Sequence, residues 1–484
     1  MKYIKIKTLN QAGIIASFDN VTDILVDDTP LGSGGFGAVY HLADVMGGAC
    51  PPVKFVIKLF HLDDVAKENH GWRTINRLLD IVREENKKKQ NEGKYFLLDY
   101  PSLLALPVFT FEGTMEGQRV RGYSMLDLQA LGFVGFDKII GDTADDALLE
   151  QIDGMDMEWK YEACYHLARG FNWLYKKRFL HADVSPDNIF IHTKYPLAVI
   201  IDYDSGAVID TLNDNPSTFG KPQLWLAPEI TFQMKKMNES NVKDKEMIDV
   251  NIYSDLWSVA HCITQLLITL PAFYLTDLSE NSLRDYVSKY AWPQIDVNDP
   301  LFMKENEYAY EVMMDRTSDL PASIQKALSV TFTRGIFNPN ARTSYSRWES
   351  TFKALLNDNQ KDYWEDSDKT FIDLLKTNVN EVDNYDKERE ELSNYISMLV
   401  VDLVNGDETI EANRNYIIQR AQRAHLNPKE VLSELEDFLD FFHQCTDKKN
   451  TLSKFERNTI MMQGECALVS KDTLEYILKP YKVK

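Results

Sequence analysis

The sequence predicts an α+β fold: a small β-rich lobe carrying one helix, a larger helical lobe behind it, and an all-α domain after both. Three observations carry this expectation. Residues 25 to about 127 mix the β-type runs KFVIKLF, LLALPVFTF and VRGYSML with one strongly helical stretch, Asn69 to Gln90. From Gln151 to about Leu356 the periodicity is mainly helical, as in MEWKYEACYHLARGFNWLYKK, with the short strands NIFIHT and LAVIID between the helices. The last hundred residues hold a loose duplication: RNYIIQRAQRAHLNPKEVLSEL from Arg414 returns as RNTIMMQGECALVSKDTLEYIL from Arg457.

Taken in order, residues 1–24 read as a strand extension. MKYIKIKTLNQAGII alternates Lys with apolar residues and lacks the continuous apolar stretch of a secretory signal. The main unit spans 25–356, its small lobe about 25–127 and its larger lobe about 128–356. Within the larger lobe Leu256 to Leu275 is the most apolar helical segment. Its Ser258, His261, Thr264 and Gln265 mark a buried core helix, so no membrane span is expected. The charged segment TFQMKKMNESNVKDKEM reads as a surface loop or short helix. Residues 357–392 carry acidic residues in excess and read as a linker. Residues 393–484 then form a helical accessory domain with two hairpin-like copies. Ile417, Ala421 and Ala424 share a helix face, Asn427 and Ser470 sit where each second helix needs an N-cap, and Pro428 occupies a first turn. Such a domain either packs as an appendage or receives a protein partner.

With 484 residues the chain exceeds one ordinary core, so about three folding units are expected. A formal net charge of -21 argues against nucleic acid as a partner, because a phosphate backbone is gripped by clustered Lys and Arg. The same charge also serves plain solubility. The five cysteines, Cys50, Cys164, Cys262, Cys445 and Cys466, are scattered and lack a C-x-x-C spacing, so neither a disulfide framework nor a zinc site is expected. A reducing, cytoplasmic setting follows as an expectation.

Chemistry begins at LGSGGFGAVY, where Gly32, Gly34 and Gly37 take the spacing G-x-G-x-x-G. Glycines let backbone amides approach phosphates without interference from a Cβ. Dinucleotide-binding folds use the same spacing before a helix, but GAVYHLADV continues as strand and turn. Twenty-one positions beyond Gly37, KFVIKLF sets Lys58 among apolar β-formers. A lysine there faces either a cleft or solvent at a sheet edge.

The decisive constellation is HADVSPDN, His181 to Asn188, followed by IIDYDSG. With both motifs in this order the chain resembles the eukaryotic-like protein kinase family, of the serine/threonine type with a bacterial-style appended helical domain. The resemblance implies a two-lobed fold that transfers the γ-phosphoryl group of ATP to Ser or Thr of protein substrates, autophosphorylation included, with Mg²⁺. It implies that Asp183 orients the acceptor hydroxyl and takes its proton, that Asn188 and Asp202 bind metal, and that Lys58 holds the α- and β-phosphates. It also implies nucleotide contacts from Leu31, Gly32, Ser33, Gly34, Gly35, Phe36, Gly37, Val39 and Met125. Downstream, LWLAPEI supplies Ala227, Pro228 and Glu229, SDLWSVA supplies Asp255, Trp257 and Ser258, and NPNARTS supplies Arg342. In the family the Glu229 and Arg342 equivalents form a buried ion pair, and the Asp255 equivalent holds the catalytic-loop backbone.

Four departures qualify the likeness. Residues 73–78, RTINRL, offer no helix carboxylate for Lys58; Asp80, Glu84 and Glu85 lie further along, and Asn76 takes the usual spacing. Ala182 replaces the Arg that would pair with a phosphorylated loop, so no such phosphorylation is expected to be needed, although Thr211, Ser217 and Thr218 lie in the loop. Ser185 stands where a Lys is usual, with Lys221 as a candidate substitute. Tyr203 and Asp204 follow the metal Asp where Phe and Gly are usual. Two alternatives stay open: a pseudokinase scaffold that binds nucleotide without efficient transfer, and a small-molecule phosphotransferase of the aminoglycoside or choline kinase type. The latter lack the Ala-Pro-Glu and Asp-x-Trp elements.

Overall fold

The computed structural model describes residues 1–13, 18, 21–47, 54–91, 105–139, 145–208, 225–239, 248, 250–356, 385–406, 408–424, 426–447 and 449–483. Among the described residues the chain opens on seven strands: β1 (Lys2–Gln11), β2 (Asp23–Val26), β3 (Gly32–Ser33), β4 (Gly37–Met46), β5 (Phe55–Phe60), β6 (Phe109–Met115) and β7 (Gln118–Leu126). They pair in the order β2-β1-β6-β7-β5-β4-β3, and β2 pairs with β4 as well. Six strands therefore close into a ring. The first strand makes the closure: Ile4 faces Ile24 of β2 on one side and Met115 of β6 on the other. The boundary expected at residue 24 thus falls inside β2, and β1 is an integral stave rather than an extension. Alternation decides which side chains fill the ring. Ile4, Ile24, Val26, Phe55, Ile57, Phe109 and Phe111 are all buried in one cluster.

Helix α1 (Val65–Asn91) covers the outer face of β5, which is why all six residues of that strand are buried. Val56 and Phe60 share a core with Ile75, Leu78, Leu79 and Val82 of the helix. The helix starts where Asp64 accepts from the Lys67 amide, 3.0 Å away. It is fixed along its length by polar contacts. Arg83 Nε donates to the Gln11 carbonyl (3.0 Å), Asn10 Nδ2 donates to Asn76 Oδ1 (3.0 Å), and Lys177 Nζ lies 2.6 Å from Glu85.

Among the described residues eight helices follow before residue 357: α2 (Asp146–Asp153), α3 (Met157–Lys176), α4 (Pro228–Glu239), α5 (Ile252–Ile268), α6 (Glu280–Lys289), α7 (Glu307–Asp319), α8 (Ala322–Phe332) and α9 (Tyr345–Leu356). The short strand β8 (Phe133–Gly135) precedes them, and β9 (Phe179–Leu180), β10 (Ile189–His192), β11 (Ala198–Ile200) and β12 (Ala207–Val208) lie between α3 and α4. α5 is the expected core helix: every residue from Ser254 to Ile268 is buried, and Asn251 and Ser254 cap its start reciprocally. No helix among the described residues is long and apolar enough to cross a membrane.

A C-terminal helical region has a core of its own, built from α10 (Tyr385–Asn405), α11 (Ile410–Arg423), α12 (Pro428–Thr446), α13 (Lys454–Cys466) and α14 (Lys471–Leu478). Both expected caps are present, Asn427 accepting from Lys429 N and Ser470 from Thr473 N. The linker expected to reach residue 392 stops earlier. α10 begins at Tyr385, and Leu392 is fully buried in this core. Most of the charged connector, residues 357–384, lies outside the described residues, as do Cys50, Lys221, Thr211, Ser217 and Thr218.

Candidate active site

The site assembles where the ring meets the helical part of the chain. Lys58 lies on β5, opposite Val39 of β4 and Tyr123 of β7, with Met125 one step along opposite Val56. Its side chain points out of the ring toward α1 and is almost wholly buried. Two carboxylates receive its ammonium: Asp202 Oδ1 is hydrogen-bonded to Nζ, and Asp204 Oδ2 lies 2.7 Å away. Burial alone would lower the Lys58 pKa, but Asp202 and then Asp204 outweigh it and hold it above its ordinary value. Burial pushes Asp202 upward and Lys58 more than reverses this, leaving it below the usual carboxylate range. Burial, and then the neighbouring charge of Asp202, push Asp204 upward against the pull of Lys58.

The loop His181 to Asn188 is shaped from three sides. Asp255, at the start of α5, accepts through Oδ2 from the amides of His181 (3.1 Å) and Ala182 (3.0 Å). Ala182 has φ +66°, a left-handed conformation that costs a residue with a Cβ about 1–2 kcal/mol, and the carboxylate offsets part of this. His181 Nε2 donates to the Ile201 carbonyl at 2.8 Å, while its Nδ1 accepts from Asp183 N at 3.3 Å. Ile201 N donates to Asn188 O (3.0 Å), so the loop and the segment that presents Asp202 are stitched together. Asn188 Nδ2 donates to both the carbonyl (2.8 Å) and Oδ2 (3.1 Å) of Asp183. That leaves Asn188 Oδ1 turned away from Asp183. Asp202 itself is left-handed, at φ +63°, and begins a tight turn whose Tyr203 hydroxyl donates to Ile200 O at 2.7 Å.

The glycine loop lies on the β3–β4 hairpin, with Leu31 N donating to Val39 O (2.7 Å) and Gly34 N to Gly37 O (2.9 Å). Only Gly37 is required by the protein's own packing, because a Cβ there would sit 2.1 Å from Leu59 O. A Cβ on Gly32, Gly34 or Gly35 would meet nothing within 4 Å. Leu31 to Gly35 are exposed, whereas the Phe36 ring turns in beside Gly71 of α1. The space over these three glycines is of the kind a phosphate chain fills. Asp202 and the Asn188 amide supply hard oxygen donors, which suit Mg²⁺. Among the described residues no group of three or more His, Cys, Asp or Glu could hold a metal.

Of the residues singled out from the sequence, the structure brings Lys58 to Asp202 and Asp183 to Asn188. Sequence reasoning left the partner of Lys58 unassigned and treated Asp204 as a departure only. Two departures in the sequence, no carboxylate at 73–78 and an Asp two positions after Asp202, involve the surroundings of this one lysine. The pair Glu229–Arg342 is bidentate, 2.7 and 2.6 Å, with the Arg342 side chain fully buried.

No curated protein matches the sequence. The family model described as protein kinase domain matches residues 141–384, just over half of the chain, and includes Asp183, Asn188, Asp202, Glu229, Asp255 and Arg342. The glycine loop and Lys58 precede the match, in the part that the added strand closes into a ring. With these residues and their geometry in place, the chain belongs to the protein kinase family.

Proposed function

We propose that this chain transfers the γ-phosphoryl group of ATP to serine or threonine hydroxyls of proteins, including its own, from a site between two lobes. The observation that carries the reading is the convergence of Lys58 on Asp202 beside a loop that holds Asp183 and Asn188 together. Lys58 and the amides of Gly32–Gly35 would hold the phosphates, with Leu31, Val39 and Met125 around the base and Phe36 supporting the loop from behind. Asp202 and Asn188 would hold Mg²⁺, which when bound neutralises phosphate charge. Asp183 would orient the acceptor hydroxyl and take its proton as the new P–O bond forms and the bond to the bridging oxygen of ADP breaks. Positioning and electrostatics do most of the work. Cytoplasmic protein acceptors, and a protein partner for the C-terminal helices, belong to the same reading.

Labelled ATP, Mg²⁺ and generic acceptor proteins, followed by mapping of the modified residues, test it. Asp202→Ala is expected to abolish transfer, and Asp183→Asn to lower turnover by roughly 10²–10⁴-fold. Wild-type turnover in either variant refutes the assignment. A nucleotide-binding scaffold is the second reading, favoured by the residue that departs from the family pattern at Ser185. A thermal shift with ATP and Mg²⁺ but no labelled product would decide for that second reading.

A further inference from the structure

We propose that Asp204 is the positioning residue for Lys58, supplying from the turn after Asp202 the carboxylate that no residue of α1 brings to that lysine. The inference deepens the proposed function and rests on it. Each carboxylate of α1 is accounted for elsewhere. Glu68 is held by Arg119 and Arg121 (3.0 and 3.2 Å), Asp80 pairs with Arg83, Glu85 pairs with Lys177 and Lys88, and Glu84 is exposed. The helix face over the site is instead made of residues that admit the turn. His70 Nε2 and Thr74 Oγ1 both donate to Gly206 O at 3.1 Å, so these helix side chains fasten α1 to the end of the turn that carries Asp204. At Gly71 a Cβ would sit 3.3 Å from Asp204 Cβ and 2.7 Å from the Phe60 ring, so a long side chain from this position has no room. The space is taken by Asp204, fully buried, with Oδ2 2.7 Å from Lys58 Nζ.

This arrangement gives Lys58 two partners of different duty. Asp202 is the residue a metal would claim; Asp204, deeper and beneath the helix, is free of that duty and keeps the ammonium in place. Without Asp204, metal and lysine would compete for one carboxylate. Because both partners lie on a single turn, alignment of Lys58 does not require a carboxylate to arrive with a moving helix.

The test uses the full chain and a fluorescent non-hydrolysable ATP analogue, with its binding followed as Mg²⁺ is titrated. Asp204→Asn keeps the shape and weakens the hold on Lys58. The Mg²⁺ concentration for half-maximal binding is expected to rise roughly tenfold or more, with the unfolding midpoint recorded alongside. In a Lys58→Met background the same substitution is expected to add little, which a merely structural role would not reproduce. Asp204→Gly gives the same comparison where the buried amide impairs folding. An unchanged Mg²⁺ requirement, or an equal rise without the lysine, overturns the role of Asp204 while leaving the kinase reading intact. A wild-type chain that binds no analogue at any Mg²⁺ concentration overturns both.

Discussion

Asp255→Ala removes the acceptor that shapes the loop carrying Asp183. Its Oδ2 takes two buried amides, His181 N at 3.1 Å and Ala182 N at 3.0 Å. A hydrogen bond to a charged group contributes about 1.5–3 kcal/mol, so losing both costs about 3–6 kcal/mol. The left-handed strain at Ala182, which the carboxylate offsets, is released in the same event. A loss of that size is comparable with the whole stability of a domain, so part of it should appear as local opening of the loop rather than as global unfolding. Hydrogen exchange followed by mass spectrometry reads this directly. Protection of the peptide carrying the His181 and Ala182 amides is expected to fall about a hundredfold or more in Asp255→Ala, and by much less in Asp255→Asn, which keeps an acceptor oxygen. Turnover should fall with it, because Asp183 is the next residue, while analogue binding at Lys58 suffers less. Exchange in Asp255→Ala within about threefold of wild type would refute the reasoning, since about 3 kcal/mol cannot vanish without opening these amides.

Glu229→Ala strands the buried Arg342 guanidinium and is expected to cost about 3–5 kcal/mol in urea denaturation. His261, enclosed by Trp257, Phe273 and Phe332, is pushed down to about 3 by burial and secondarily by Arg342. The unfolded chain therefore takes up a proton below about pH 6.5 that the folded chain refuses until about pH 3. Stability present above the upper value is lost as pH falls between the two, by about 2 kcal/mol at pH 5. His261→Phe should remove that part of the slope, seen as a flatter pH dependence of the urea midpoint than in wild type. Gly34→Ala, whose methyl meets nothing within 4 Å, is expected to leave stability within about 0.5 kcal/mol yet weaken ATP-analogue binding. Gly37→Ala, driven against Leu59 O, should instead lower the unfolding midpoint itself.

What the sequence disclosed follows from how local each signal is. HADVSPDN and IIDYDSG set their residues at fixed short spacings, so the segments that meet here, through Ile201 N and Asn188 O, could be singled out before any coordinate. The caps Asn427 and Ser470 were legible for the same reason, since a cap needs only the first turn that follows it. The ring was not. Alternation in YIKIKTL says strand, but nothing local says that Ile4 will face Met115, more than a hundred residues away. The start of α10 was hidden by composition: in YDKEREEL one leucine, Leu392, is the whole apolar signal, and the tertiary core alone makes it sufficient. The Lys58–Asp204 contact spans 146 positions. Motif comparison scores a missing helix carboxylate and an unusual third residue of Asp-Tyr-Asp as two separate losses.

Closure by β1 also changes how the N-terminal sheet meets other molecules. An open sheet offers its flanks to any extended segment that passes, and proteins guard such flanks with charge, proline or a covering helix. Here, apart from the two-residue strand of the glycine loop, each described stave is bonded on both sides, so the barrel needs no guard. Trimming the first dozen residues would uncover β2 and β6 together and convert a self-contained wall into a pair of adhesive seams.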